Sequence, residues 1–117
     1  MQYLLLITEP GFTTLPEAPP DVMEKELKAW GDYTEWLQKK GWMVAGEALQ
    51  PTSTATTVRE ENGKILTTDG PFAETKEALS GYYLIDCENL DQAIEAASKI
   101  PSVSRGPVEV RPIMKFS

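Results

Sequence analysis

Near its start the chain reads Tyr3-Leu4-Leu5-Leu6-Ile7-Thr8, a continuous apolar run that ends at Glu9-Pro10-Gly11. The run is too short for a helix, and the residues that follow it favour a turn. Such a run predicts a central β-strand that is buried on both faces. The stretch from Tyr82 to Ile85 has the same composition. We therefore expect two strands that are apolar on both sides.

A helix is predicted to follow the proline-rich segment 9–20. Asp21 is expected to cap it, with Glu24 three positions later completing a capping box, and Lys39-Lys40-Gly41 is a typical helix end. Gly31 lies inside this helix, where we expect it to permit close approach to the sheet. The apolar stripe of the helix consists of Met23, Leu27, Trp30, Tyr33 and Leu37.

Besides the first strand, the pattern predicts five strands and a second helix. Asn62-Gly63 is a strong hairpin signal between the segments 54–60 and 64–68. Asn89 and Gln92 form a second capping pair at the start of a helix that Pro101 ends. The apolar face of that helix is expected to consist of Leu90, Ala93, Ile94, Ala97 and Ile100. Further strands are predicted at 42–49, 81–87 and 108–113.

This order predicts an α+β domain over residues 1–117, with a ferredoxin-like split βαβ arrangement and an extra hairpin. Both helices would cover one face of the sheet. The other face would expose the apolar residues of the central strands, together with one side of the strand 42–49 that carries Met43, Ala45 and Glu47. Soluble monomers avoid such a patch, so we expect a homodimer that packs sheet against sheet. In the alternative, loops 9–20 and 69–80 fold over the face.

Composition excludes several classes of function. With 18 acidic and 11 basic residues and a formal net charge of -7, the chain does not fit a nucleic-acid binder or a ligand of anionic membranes. It contains no histidine and a single cysteine, which excludes a Ser-His-Asp triad, a histidine-ligated metal and an intrachain disulfide. We expect no metal, no cofactor, no secretory signal and a cytoplasmic location.

The most specific motif is Thr68-Asp69-Gly70-Pro71-Phe72-Ala73-Glu74-Thr75-Lys76-Glu77, followed by Gly81-Tyr82-Tyr83-Leu84-Ile85. It closely resembles the signature of the DGPF-domain family, also called YCII-related proteins. The resemblance continues through the segments 45–51, 55–59, 89–100 and 108–112, and so covers nearly the whole chain. It implies a dimeric α+β barrel of largely unassigned biochemical role.

The resemblance also bears on mechanism and partners. A histidine and an aspartate have been suggested as a catalytic pair in the wider YCII-related group, and this chain has no histidine to fill that role. DGPF-type members often lack it. Genes for such members often lie beside those for sigma factors of the extracytoplasmic-function type, which implies a sigma-factor partner by analogy.

Asp69 is the candidate catalytic residue, a carboxylate at a strand end that burial could make a general base. In the alternative, Asp69 accepts backbone hydrogen bonds and holds the Asp-Gly-Pro turn. Phe72 could form the wall of a ligand pocket or anchor its loop to the core.

The candidate ligand-binding residues lie on predicted strands. Arg59 and Arg111, with Glu47 and Glu109, could form a charged cluster between two sheets that binds a small carboxylate through arginine, or they could be solvated edge residues. Tyr82 and Tyr83 must point to opposite faces, so only one can line a cavity.

Two hypotheses for function follow. In the first, the protein is a small-ligand-binding dimeric α+β barrel that serves as a signalling or regulatory module associated with a sigma factor. In the second, it is a small-molecule enzyme of isomerase, lyase or hydrolase type, with Asp69 as acid and base and without histidine or metal.

Overall fold

The computed structural model describes residues 1–12, 17–71 and 77–116. Its elements are the strands β1 (Gln2–Pro10), β2 (Met43–Ala48), β3 (Thr56–Glu61), β4 (Lys64–Asp69), β5 (Glu77–Asp86) and β6 (Val108–Pro112), and the helices α1 (Pro20–Lys40) and α2 (Leu90–Ser98). A short 3₁₀ turn, Thr52–Thr54, joins β2 to β3.

Four strands form one antiparallel sheet in the order β2-β5-β1-β6, and β3 and β4 pair only with each other. The two apolar runs, β1 and β5, are the central strands, as predicted. Both helices pack on one face of this sheet. The ferredoxin-like α+β fold with an added hairpin is thereby confirmed.

The hydrophobic core lies between the sheet and the two helices. Alternate residues of β1, namely Tyr3, Leu5 and Ile7, are buried there. Leu37 of α1 packs in the same cluster as these residues. Helix α2 contributes alanines, which allow the helix to lie close to the sheet. The members from α2 and its end are Ala93, Ala96, Ala97 and Ile100. Leu90 and Ile94, which we expected in this layer, are 49% and 50% exposed because α2 turns Ala93 and Ala97 toward the sheet instead.

Two expectations for α1 are wrong. The helix begins two residues earlier than expected, with Pro19 as its cap and no side-chain hydrogen bond there, so the capping box of Asp21 and Glu24 does not form. Proline is already in the helical φ range at N1, and Asp21 lies inside the first turn, where it still favours the helix dipole. Gly31 is exposed with open space around it and does not approach the sheet.

The N-terminal half of α1 is largely exposed. Met23 and Leu27, part of the expected apolar stripe, are 43% and 69% exposed, whereas Tyr33 and Leu37 are buried. Arg105 holds this half in place, since its guanidinium binds Glu9 of β1 at 3.0 Å and Glu26 of α1 at 2.6 Å.

The predicted hairpin turn, the end of α1 and the cap of α2 are confirmed, but β5 begins at Glu77 and not at Gly81, because residues 77–79 of the expected loop 69–80 pair with the end of β1. Asn62 and Gly63 have φ angles of 51° and 77°, as a tight hairpin turn between β3 and β4 requires. Gly41 ends α1 in a left-handed conformation with φ of 75°. The Asn89 side chain accepts a hydrogen bond from the Gln92 amide at 3.0 Å. Within the described ranges, no helix is long and apolar enough to cross a bilayer.

Strand β2 departs from regular alternation. The pairing with β5 shifts between Met43 and Ala45, a bulge that turns the strand over. Met43 therefore packs against the core, whereas Ala45 and Glu47 lie on the opposite face. The expectation that Met43, Ala45 and Glu47 share one side is wrong for Met43, because a bulge changes the face of every residue that precedes it.

The glycines allow a direct test of this packing. Gly31→Ala should raise the free energy of unfolding by about 1 kcal/mol, because it adds helix propensity without a contact. Gly106→Ala should lower it by about 1–3 kcal/mol, because its Cβ would collide with the carbonyl oxygen of Thr8. Urea titration of both variants measures this, and equal effects would contradict the assigned packing.

Tyr33 predicts how stability changes at high pH. Its hydroxyl is buried and donates to the Ala96 carbonyl oxygen at 2.7 Å, and burial, with a smaller contribution from Tyr83, raises the pKa of this phenol. An unfolded tyrosine ionises near pH 10. The stabilisation is therefore complete below about pH 10 and is lost as the pH rises above it. Urea titrations above about pH 10 measure how the free energy of unfolding falls with pH. This fall should be less steep in Tyr33→Phe than in the wild type, and an equally steep fall would contradict the prediction.

Candidate ligand-binding face

One side of the four-stranded sheet carries no described helix, and we call it the uncovered face. Its centre is formed by Leu4 and Leu6 of β1 and by Tyr82 and Leu84 of β5, which are only half-buried. The cross-strand register places them in two rows that run from β2 to β6. These rows are Ala45-Leu84-Leu4-Arg111 and Glu47-Tyr82-Leu6-Glu109.

Charged residues lie at the two edges of the uncovered face. On β6, Arg111 Nη2 binds Glu109 Oε2 at 2.6 Å, with both side chains more than half exposed. Such a pair contributes less than about 1 kcal/mol in water. On β2, Glu47 makes no ion pair with any residue that the structure describes. The face thus has an apolar centre and charged edges, a distribution that is typical of surfaces that bind another molecule.

The two tyrosines lie on opposite faces, as predicted. Tyr82 is on the uncovered face beside Glu47, its cross-strand partner. Tyr83 lies on the helix side, where its hydroxyl shares a 2.8 Å hydrogen bond with Thr34 Oγ1 and its ring stacks on Trp30. A Cβ at position 46 would come within 2.7 Å of the Tyr83 ring, so glycine is required opposite this tyrosine. Tyr82 is therefore the tyrosine available to a ligand.

The predicted site residues divide between two sheets. Glu47, Tyr82 and Arg111 share the uncovered face. Arg59 lies on β3, opposite Leu66, in the separate hairpin. The structure of one chain therefore does not bring Arg59 and Arg111 together, and a role for Arg59 stays a prediction. Phe72 lies outside the described residues.

Asp69 is the last residue of β4 and is exposed. Its carboxylate makes no hydrogen bond to another residue in the described part of the chain. The turn after it is held by other groups. The Gly70 amide donates to the Ala55 carbonyl oxygen at 2.7 Å, and Thr57 Oγ1 donates to the Gly70 carbonyl oxygen at 2.7 Å. A role for Asp69 as acid or base stays a prediction.

A groove on the helix side was missed by the sequence analysis. It has a volume of about 430 Å³ and lies between the middle of α1 and the end of α2. Lys99 lies over the Trp36 ring at 5.3 Å, and Lys40 contacts the same ring at 5.8 Å. No local sequence pattern indicates this groove, because it is formed by residues of α1 and residues after α2 that lie more than 60 positions apart in the chain. Its lining comprises Glu26, Ala29, Asp32, Tyr33, Trp36, Lys99 and Pro101.

Besides Tyr33, Glu26 and Cys87 are ionisable groups on the helix side with shifted pKa values. Partial burial acts to raise the pKa of Glu26, but hydrogen bonds from Trp30 and Arg105 outweigh it and lower this pKa. Burial raises the pKa of the Cys87 thiol, and the neighbouring Asp86 and Glu88 act in the same direction. A raised thiol pKa opposes nucleophilic reactivity.

The turn beside Asp69 can be tested by exchange of the Gly70 amide. Thr57→Val removes the hydroxyl that binds the Gly70 carbonyl, a hydrogen bond of about 1 kcal/mol, so this amide should exchange about fivefold faster. Asp69→Asn should leave the protection factor of this amide unchanged, because the Asp69 carboxylate makes no hydrogen bond in the described part of the turn. A lower protection factor in Asp69→Asn would show instead that Asp69 holds the turn.

Comparison with known proteins agrees with the motif. A family model described as the YCII-related domain matches residues 1–117. A protein of Rhizobium meliloti (strain 1021), described only as uncharacterized, is 49% identical over 70 residues. That match covers 58% of this chain and 56% of the relative, so it spans little more than half of either protein. The chain belongs to the YCII-related domain family.

Proposed function

We propose that the protein is a homodimer that binds a small carboxylate ligand between the uncovered faces of its two sheets. The observation that carries this proposal is the uncovered face itself, an apolar centre of Leu4, Leu6, Tyr82 and Leu84 between charged edges. Such a face on a monomer would be a persistent apolar patch. A second copy that packs on it would remove the patch and enclose a space beside the charged residues.

The arginine on the uncovered face supports a carboxylate ligand. Arg111 presents a planar guanidinium with five donors, of which its contact with Glu109 uses one nitrogen. A ligand carboxylate could take the remaining donors, and the hydrogen bond would strengthen once a second sheet excluded water. The apolar body of the ligand would lie over Leu4 and Leu84, which occupy the same row as Arg111.

The edges also limit the size of the ligand. Strands β2 and β6 are separated by three strand spacings, which is about 14 Å. A small ligand held by Arg111 therefore cannot also reach Glu47 of the same protomer. This favours a monocarboxylate with an apolar body over a long dipolar molecule.

The free energy gained by burying the centre of the uncovered face is no larger than the cost of association. The four central side chains are already partly covered by their strand neighbours, so full coverage adds less than about 1 kcal/mol for each. Eight such side chains in a symmetric dimer thus supply less than about 8 kcal/mol. Association costs roughly 4–15 kcal/mol. The proposed dimer therefore needs contacts beyond the centre of the uncovered face.

Sedimentation of paired variants tests the proposal. The molar mass of the wild type from sedimentation should be twice the 13.0 kDa of the chain. Leu6→Asp places a charge at the centre of the uncovered face and should give the monomer. Leu27→Asp, at a position that is 69% exposed on α1, is the matched control and should remain dimeric. A monomeric wild type, or a dimeric Leu6→Asp protein, would overturn the proposal.

Thermal-shift measurements with a panel of small monocarboxylic acids test the ligand. A ligand at 100 times its Kd should stabilise the wild type by about 2.7 kcal/mol. Arg111→Gln should remain dimeric and lose this shift, whereas Lys39→Gln on α1 should keep it. A shift that survives Arg111→Gln would remove Arg111 from the site. Acid–base catalysis by Asp69 and a sigma-factor partner stay predictions.

A further inference from the structure

The groove between α1 and the end of α2 is separate from the uncovered face, and we call it the helix-side groove. Its volume of about 430 Å³ lies within the range of about 300–1,000 Å³ that is typical of small-molecule sites. Helix α1 supplies most of its lining, and residues three or four positions apart share one face of a helix. The residues that follow this spacing are Glu26, Ala29, Tyr33 and Trp36. The helix-side groove therefore has the size and the continuous wall of a ligand site.

The two acidic residues of the helix-side groove already have cationic partners. Glu26 Oε1 accepts hydrogen bonds from Arg105 at 2.6 Å and from the Trp30 indole at 3.0 Å. The Asp32 carboxylate binds the Lys28 ammonium at 2.8 Å. The negative charge of both carboxylates is therefore compensated by neighbouring side chains.

Two lysines beside Trp36 have no anionic partner in the part of the chain that the structure describes. The ammonium groups of Lys99 and Lys40 lie 5.3 Å and 5.8 Å from the centre of the Trp36 ring. Lys40 also lies 5.5 Å from the centre of the Trp42 ring. Contacts of this kind hold the two lysines in place, but they leave the positive charge uncompensated.

The spacing of Glu95 makes the position of Lys99 informative. Glu95 lies four residues before Lys99, which is the favourable order and spacing for an ion pair on a helix. The Lys99 ammonium lies over the Trp36 ring instead. This end of the helix-side groove therefore carries net positive charge, although the whole chain has a formal net charge of -7.

We propose that the helix-side groove binds a small phosphomonoester, whose phosphate group is held by Lys40 and Lys99. A phosphomonoester carries a charge of about −1.5 to −2 near pH 7, which matches two ammonium groups. Lysine binds phosphate as a point charge on a flexible stem, whereas the planar guanidinium of Arg111 on the uncovered face is the better match for a carboxylate. The two sites therefore take ligands of different chemistry.

The rest of the lining favours a ligand with an organic body over free phosphate. Ala29, Pro101 and the ring of Trp36 give the wall beside the lysines an apolar character, and Trp36 is only half-buried. Free phosphate would leave this wall in contact with water. An apolar or aromatic body attached to the phosphate would cover it and would add the free energy of burying apolar surface.

Titration with phenyl phosphate, followed by NMR through the indole N–H signal of Trp36, tests the site. This signal should shift in the wild type as phenyl phosphate binds. Lys99→Gln and Lys40→Gln should each raise the Kd about tenfold, since each removes one charged contact. Lys39→Gln is the matched control, because Lys39 is exposed and binds Glu35, and it should change the Kd less than about twofold. A Trp36 signal that does not move, or equal Kd values for Lys99→Gln and Lys39→Gln, would overturn the proposal.

The Lys28–Asp32 pair provides variants with effects of opposite sign. Asp32→Asn removes a negative charge from the lining and should lower the Kd of phenyl phosphate about threefold. Lys28→Gln leaves the Asp32 carboxylate without its partner and should raise the Kd by about the same factor. A higher Kd in Asp32→Asn would show that the groove favours a cation and would overturn the phosphate assignment.

A comparison of ligands separates this site from the one on the uncovered face. Inorganic phosphate lacks the organic body and benzoate lacks the second charge, so both should shift the Trp36 signal with a higher Kd than phenyl phosphate. Arg111→Gln should leave the Kd of phenyl phosphate unchanged, because Arg111 lies on the other side of the sheet. Tighter binding of benzoate, or loss of phenyl phosphate binding in Arg111→Gln, would overturn the groove site. A monomeric wild type would overturn the proposed function alone, because the helix-side groove lies within one chain.

Discussion

The structure depends on the burial of two central strands that are apolar on both faces. Strands β1 and β5 place Tyr3, Leu5 and Ile7 under the helices and Leu4 and Leu6 on the other side. The chain has two helices in its described part, and both are used on one face. In the proposed function a second copy supplies the layer for the other face.

The uncovered face carries charged side chains at both of its edges. Glu47 on one edge and the Glu109–Arg111 pair on the other are exposed in a single chain, where water screens them. Covering the face would remove that water and make each charge costly unless it is paired. A ligand carboxylate or an acidic residue of a second copy would satisfy Arg111. In the proposed function, ligand binding and dimer formation therefore depend on the same arginine, Arg111.

The family motif around Asp69 has a structural reason that does not involve its carboxylate. Gly70 has a φ of 98°, which disfavours other residues, and its two backbone groups are bound by Ala55 and Thr57 at the base of the hairpin. The turn therefore sets the direction in which the hairpin leaves the sheet. This accounts for the glycine of the motif without assigning a reaction to the aspartate.

The sequence by itself determined the order of the elements along the chain, the ferredoxin-like fold, the Asn62-Gly63 hairpin, the Asn89 cap and the family, because these depend on local propensity, periodicity or a continuous motif. Only the tertiary structure decided which residues share a face. The bulge in β2 separated Met43 from Glu47, the separate hairpin took Arg59 away from Arg111, and the position of α1 left Leu27 and Gly31 exposed. These outcomes follow from strand register and from how a helix packs on its sheet, and both are set by contacts between distant segments.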